Sequence, residues 1–207
     1  MMRGRSLLGN LFLRAARAAG RATLIALALA VAVSGIPQVA LGASPSSPTT
    51  APGEQAFRRL ATVLTHPRCL NCHTLTDYPK QGDDRHAHLF RVSRGADDYG
   101  AAGLRCSTCH QNANNAASQV PGAPNWHLAP RSMAWEGLSV SQLCRNLKDP
   151  ARNGARDVDA LVAHLTGDPL VQWAWAPGAG RTPPPLGQGE FHAVVRAWAQ
   201  AGAGCPR

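Results

Sequence analysis

The sequence predicts a small, mostly α, loop-rich domain, and three observations carry that expectation. Apolar residues recur at helical spacing in several short segments. No segment alternates apolar and polar residues over the length of a strand. The chain is rich in turn formers, with 20 Gly and 16 Pro, yet holds only 4 Phe and 2 Tyr. So little aromatic volume builds a small core, and small cores need a staple or a bound group. At 207 residues there is room for one domain, or two very small ones, once any targeting segment is set aside.

Residues 1–43 read as an export signal. Arg3, Arg5, Arg14, Arg17 and Arg21 form a basic start without an acidic residue. The apolar stretch Ala22–Val33 follows, then the helix breakers Gly35 and Pro37, then a small-x-small cleavage site at Ala40-Leu41-Gly42. No adjacent arginine pair appears in the basic region, so the general secretory route to the periplasm is expected. Counted to Leu41 the apolar tract reaches the length of a membrane span, but Ser34, Gly35, Pro37 and Gln38 interrupt it. An uncleaved anchor, with membrane contact, is the alternative. Residues 44–53 read as a disordered Ser/Pro/Thr linker, and residues 54–207 as the folded domain.

The helices follow in order. Glu54–Leu64 has apolar residues at 56, 57, 60, 61, 63 and 64, with Arg58 and Arg59 on the other side. Thr74–Leu104 is polar and without period, and reads as a loop. Gln111–Gly137 contains Pro121, Pro124 and Pro130 and reads as irregular. Ser139-Val140-Ser141-Gln142 resembles a capping box that opens a helix through Lys148. Asp157–Thr166 reads as another helix, bounded by Gly167 and Pro169. Gly189–Ala203 reads as the last, with Phe191, Val194, Val195 and Trp198 on one face.

The chemistry lies in six cysteines. Cys69-Leu70-Asn71-Cys72-His73 and Cys106-Ser107-Thr108-Cys109-His110 share the Cys-x-x-Cys-His pattern of c-type haem attachment. Two thiols separated by two residues can add to the two vinyl groups of one porphyrin. A His next to the second thiol then reaches the iron from the same side. One such motif arises by chance in about one chain in a hundred of this composition, so two point to chemistry. A zinc ribbon would use the same four cysteines but does not require the histidines. A thioredoxin-like disulfide is poorer, because no βαβ pattern surrounds either motif. The expected architecture is therefore a domain wrapped around two covalently bound c-type haems. Cys69, Cys72, Cys106 and Cys109 attach them, and His73 and His110 are the proximal iron ligands.

Each iron then has a sixth position, and its occupant separates electron transfer from small-molecule chemistry. His88 and His127 are the first candidates, since both lie in irregular segments able to fold over a haem face. His86 and Met133 are further candidates. His66 is expected to cap the first helix, and His164 and His192 to pack on helices. The tryptophans read as haem-packing and core residues. Cys144 and Cys205 are left over, and an exported chain can pair them. Free thiols, or a distal thiolate on one haem, are the alternatives.

The formal net charge of +9 does not indicate nucleic-acid binding. Without the five arginines of the signal, 16 basic residues face 12 acidic ones, and they are scattered. Two haems would add four propionates.

Several runs carry a family resemblance. They include His66–His73, Gln81–Asp84 followed by His86 and His88, Arg94-Gly95-Ala96-Asp97, Trp126–Pro130 and Met133-Ala134-Trp135. Lys148–Gly154, Asp168–Val171 and Gly202–Pro206 continue the match. On these residues the chain resembles the small exported di-haem proteins labelled "isoquinoline 1-oxidoreductase subunit". The resemblance implies a cytochrome taking electrons from a molybdenum hydroxylase. The sequence itself shows no molybdopterin, flavin or iron–sulfur pattern.

The expected function is one-electron transfer from a periplasmic dehydrogenase to a respiratory acceptor. The alternative is a haem redox enzyme with one open coordination site acting on peroxide or a sulfur oxyanion. A third reading is a docking subunit whose haems are incidental.

Overall fold

Residues 50–207 are described by the structure, a computed structural model. The export signal read over 1–43, and linker residues 44–49, lie outside the described residues. The described chain is mostly α and rich in loops, with six α-helices and two small antiparallel ladders. None of these helices is long and apolar enough to cross a membrane.

The first helix, α1 (Pro52–Leu64), takes in two residues assigned above to the linker. Proline at the first helical position has its φ preset and loses no hydrogen bond there. Gly53 is needed for close approach. A Cβ on it would stand 3.1 Å from both Ala201 O and Gly204 N. The helix buries Phe57, Leu60, Val63 and Leu64 and leaves Arg58 and Arg59 exposed, as its periodicity requires.

A four-residue helix, α2 (Pro67–Leu70), follows at once. His66 caps its N-terminus by accepting from Arg68 N on Nδ1, rather than closing α1. Proline at position 67 forbids continuation of α1, so the chain must restart.

The remaining helices are α3 (Val140–Lys148), α4 (Val158–Gly167), α5 (Pro169–Gln172) and α6 (Gln188–Gln200). Helix α6 ends three residues before the expected limit. Gly202 and Ala203 adopt left-handed conformations that a helix cannot contain. Helix α1 packs on α6 and α3, and α4 packs on α6 and α5. Phe57, Leu143, Leu147, Leu161, Phe191 and Trp198 lie fully buried where these faces meet. The rings of Phe57 and Trp198 are tilted at 55° with centroids 5.6 Å apart.

The capping box of α3 is complete. Ser139 Oγ accepts from Gln142 N at 3.3 Å, and Gln142 Oε1 accepts from Ser139 N at 2.9 Å. Ser139→Ala is expected to cost about 1 kcal/mol, read as a shift in the denaturant midpoint without a change in slope.

Cys144 of α3 is bonded to Cys205, with Cα atoms 5.6 Å apart. The pair is thus a disulfide and not a source of free thiols or of a thiolate ligand. Nearby, Lys148 Nζ donates to Ala203 O at 2.8 Å and Trp198 Nε1 to Gly204 O at 3.1 Å.

Between α2 and α3 the chain is irregular but ordered by short pairings. β1 (Lys80–Gln81) pairs with β2 (His86–Ala87), and β3 (Gly100–Ala101) with β4 (Leu104–Arg105). Strands of two residues are too short to show alternation in sequence, which is why this region reads as loop. Buried guanidinium groups hold it together where apolar side chains are scarce. Arg94 donates to Asp98 Oδ1 and Ala129 O at 2.5 Å and to Thr74 O at 3.1 Å. Arg68, also buried, pairs with Asp83, which in turn accepts from the Thr182 hydroxyl at 2.6 Å. A guanidinium offers five donors, enough to satisfy loop carbonyls that no helix or sheet reaches.

Candidate functional site

The two Cys-x-x-Cys-His motifs fold alike although their surroundings differ. In the first, Cys72 N and His73 N donate to Cys69 O at 3.1 and 3.0 Å. In the second, Cys109 N and His110 N donate to Cys106 O at 3.2 and 2.9 Å. Each motif is therefore one tight turn, with two cysteines and the following histidine drawn together. All four cysteines are free thiols, although the same chain pairs Cys144 with Cys205.

The histidines match as well. His73 Nδ1 stands 2.7 Å from Met133 O, and His110 Nδ1 stands 2.7 Å from Pro121 O. A carbonyl can only accept, so in both neutral rings the proton sits on Nδ1 and Nε2 carries the free lone pair. Each ring also lies flat against an indole. Trp135 stacks on His73 at 3.4 Å and 11°, and Trp126 stacks on His110 at 4.5 Å and 4°. A stacked neighbour covers the face of an imidazole and leaves the in-plane lone pair open. Two independent stretches thus build the same device: a fixed ring, a fixed tautomer and a ligand atom left unused.

Electrostatics agrees with this. Burial pushes the His73 pKa down to about 3, only partly offset by its bond to Met133, so the ring is neutral at ordinary pH. Burial likewise lowers that of His110. Burial raises the Cys69 thiol to about 12 and the Cys72 thiol to about 11, with a neighbouring thiol adding to each. Such thiols stay protonated and slow to exchange, the reverse of a redox-active Cys-x-x-Cys pair.

Each motif opens onto an apolar cavity. The first, about 170 Å³, is lined by Cys69, Cys72 and His73 on one side and by Leu161, His164 and Leu165 of α4 on the other. The second, about 630 Å³, is lined by Cys106, Cys109, His110, His88, Leu89 and Phe90 among others. Arg68, Cys72, Trp126, His127 and Trp173 border both, so the cavities share a wall.

The candidate sixth ligands are placed differently from one another. His88 faces the second cavity, its ring centroid 5.9 Å from that of His110. Its Nδ1 is 2.6 Å from Leu89 O, which again leaves Nε2 as the ligand atom. His127 borders both cavities, stacked on Tyr99 at 4.7 Å, with Nδ1 2.5 Å from Asn125 O. His86 sits on β2, 2.6 Å from Asp84 Oδ1, and borders neither cavity. Met133 is buried and borders the first cavity, but its carbonyl receives the Nδ1 proton of His73. Nδ1 and Nε2 point to opposite sides of an imidazole. The Met133 backbone therefore lies behind the proximal ring, away from any metal on Nε2.

Sequence reasoning missed His164, which was expected only to pack. It borders the first cavity between Leu161 and Leu165, and its Nδ1 is 3.3 Å from Asp168 Oδ2. The signal was a lone imidazole on an apolar helix face with an aspartate four residues on. The tryptophans read in sequence as haem-packing and core residues, and the stacking of Trp135 on His73 and of Trp126 on His110 is not legible from spacing.

These donors do not gather into one cluster. Among the described residues no three His, Cys, Asp or Glu side chains converge as a metal site of protein ligands requires. A tetrahedral zinc set would need such convergence, whereas a haem iron takes four ligands from its porphyrin and at most two from protein. The thiols, ring orientations and apolar walls fit a covalently held haem at each motif. The second cavity, at about 630 Å³, is the roomier of the two, and the first, at about 170 Å³, the narrower. The unpartnered, buried Trp135 Nε1 beside the first cavity is a donor left for such a group.

Comparison with known proteins finds no matching family model, no similar curated protein and no similar solved structure.

Proposed function

We propose that this chain is an exported di-haem c-type cytochrome that relays single electrons. The observation that carries the reading is the duplicated device at the two motifs. Each presents two free thiols and an imidazole with Nδ1 committed to a carbonyl and Nε2 open, at an apolar cavity.

Cys69 and Cys72 would hold one haem and Cys106 and Cys109 the other, each thiol S–H adding across a vinyl group to leave a thioether. A bound haem supplies one-electron chemistry through its iron. The chain's residues do the rest. His73 and His110 would hold the iron through Nε2, and their carbonyl partners keep the rings from turning. Trp135 and Trp126 brace those rings. Apolar walls would keep water from the sites, and Arg68, placed at both cavities and paired with Asp83, would hold a positive charge beside them. The shared wall favours passage between the two sites.

The sequence resemblance supports a periplasmic dehydrogenase, such as a molybdenum hydroxylase, as donor. A membrane respiratory chain or another cytochrome would be the acceptor.

Intact mass after denaturation tests the reading, using precursor expressed with a haem c maturation system. The expected mass is the processed chain plus two haems, less two hydrogens for Cys144–Cys205. A processed chain with no added haem would sink the proposal.

A further inference from the structure

We propose that His164, oriented by Asp168, is the second axial ligand at the first site, and that this pairing makes the first site the lower-potential of the two. The inference rests on the di-haem reading and adds to it a ligand assignment and an internal direction.

Three imidazoles border the first cavity: His73, His127 and His164. His73 is the motif's own ligand. His127 stands on an irregular segment, held by stacking on Tyr99 and by the carbonyl of Asn125. His164 is set differently. It projects from α4 between Leu161 and Leu165, which are 2% and 3% exposed, so the backbone that carries it is anchored in the core. A helix positions a ligand more firmly than a loop does.

Asp168 completes the arrangement. Its Oδ1 accepts from Leu170 N at 2.8 Å and Val171 N at 3.4 Å as the N-cap of α5. That fixes the carboxylate and leaves Oδ2 facing His164 Nδ1 at 3.3 Å. The proton of His164 then belongs on Nδ1, and Nε2 is the ligand atom. This is the carboxylate–histidine–metal arrangement, in which the outer carboxylate fixes the ring and makes it more basic.

The two motif histidines and the candidate His88 lack that feature. His73, His110 and His88 turn Nδ1 toward the backbone carbonyls of Met133, Pro121 and Leu89. A carbonyl orients a ring but carries no charge. A more basic ligand stabilises the higher oxidation state of iron and lowers the potential. The first site, with a charged outer partner, is therefore the lower, and electrons within the molecule run from the first site to the second.

The test is a spectroelectrochemical titration of the haem-loaded protein, joined to spin state and carbon monoxide binding. The parent is expected to show two one-electron waves and two low-spin centres that do not bind carbon monoxide. His164→Ala is expected to make one of the two centres high-spin and reactive. In a background lacking Cys106 and Cys109, the single remaining centre should change. His164→Met, which keeps a ligand and guards against misfolding, should stay low-spin while the lower wave moves up. Asp168→Asn should keep both centres low-spin and raise only the lower wave. A His164→Ala protein that carries two haems, both low-spin and unreactive, would overturn the assignment. So would a high-spin centre produced by His127→Ala instead. An upper wave that moves with Asp168→Asn would overturn the ordering of potentials. A parent without attached haem is a different result, since it removes the functional reading itself and shows in the mass before any variant is made.

Discussion

A chain with Cys106→Ala and Cys109→Ala is expected to leave haem maturation with one haem, and Cys69→Ala with Cys72→Ala is expected to do the same. The stabilities of the two products should differ widely. The first cavity is walled by Leu161 and Leu165, core residues of α4, and by Phe191 of α6. Leaving a group out there strips contacts from the main hydrophobic cluster. The second cavity is bordered instead by exposed Leu89 and Phe90, at 56% and 83%, and by loop residues. The loss there falls on a region held by guanidinium bonds and short ladders. Thermal melting of the two single-haem proteins should therefore place the first-motif variant well below the second, by roughly the several kcal/mol that large core deletions cost. Equal melting temperatures would show that both sites contribute alike to the core. A variant that still carries two haems would show that its motif is not the attachment site.

Removing the Cys144–Cys205 bond, as Cys144→Ala with Cys205→Ala, is expected to cost about 4 kcal/mol. The bond closes a loop with a sequence separation of 61 residues, which spans α3 to α6. In the chain-entropy view the unlinked unfolded chain gains the freedom of that whole loop. Three further tertiary contacts depend on the same corner. Gly204 O takes the indole proton of Trp198, Ala203 O takes a proton of Lys148, and Gly53 of α1 approaches Gly204 N closely. Releasing Cys205 frees all three contacts to fray. Chemical denaturation of the double variant against the parent, in the absence of reductant, measures the loss. A change under about 1 kcal/mol would show that the C-terminal hydrogen bonds hold the corner without the bond.

Legibility followed the range of the interaction. The helix at α3 was readable to its first residue, because Ser139 and Gln142 are three apart and cap each other. The mostly α, loop-rich character was readable from period and composition. The motifs themselves were readable because Cys, Cys and His lie within five consecutive residues. What escaped were features made by distant segments meeting. Gly53 lies against the C-terminal backbone, where a Cβ would stand 3.1 Å from Ala201 O and Gly204 N, a contact between segments far apart in the chain. The two ladders pair strands of two residues, too short for any alternation to advertise.

By itself the sequence determined the two thiol–thiol–imidazole units, their spacing, the apolar faces of the helices and the cysteines left over for a bond. These are properties of neighbouring residues, set by covalent geometry and the helical repeat. Tertiary structure alone decided which histidine looks into which cavity. Among His86, His88, His127 and His164 the sequence offers four similar imidazoles, and their order along the chain says nothing of their distance from His73 or His110. That distance depends on how α4 seats against α1 and α6, and on where Arg94 pins the loop, through contacts between residues far apart in the chain. Long-range packing chooses the partner, and short-range chemistry only makes it able to bind.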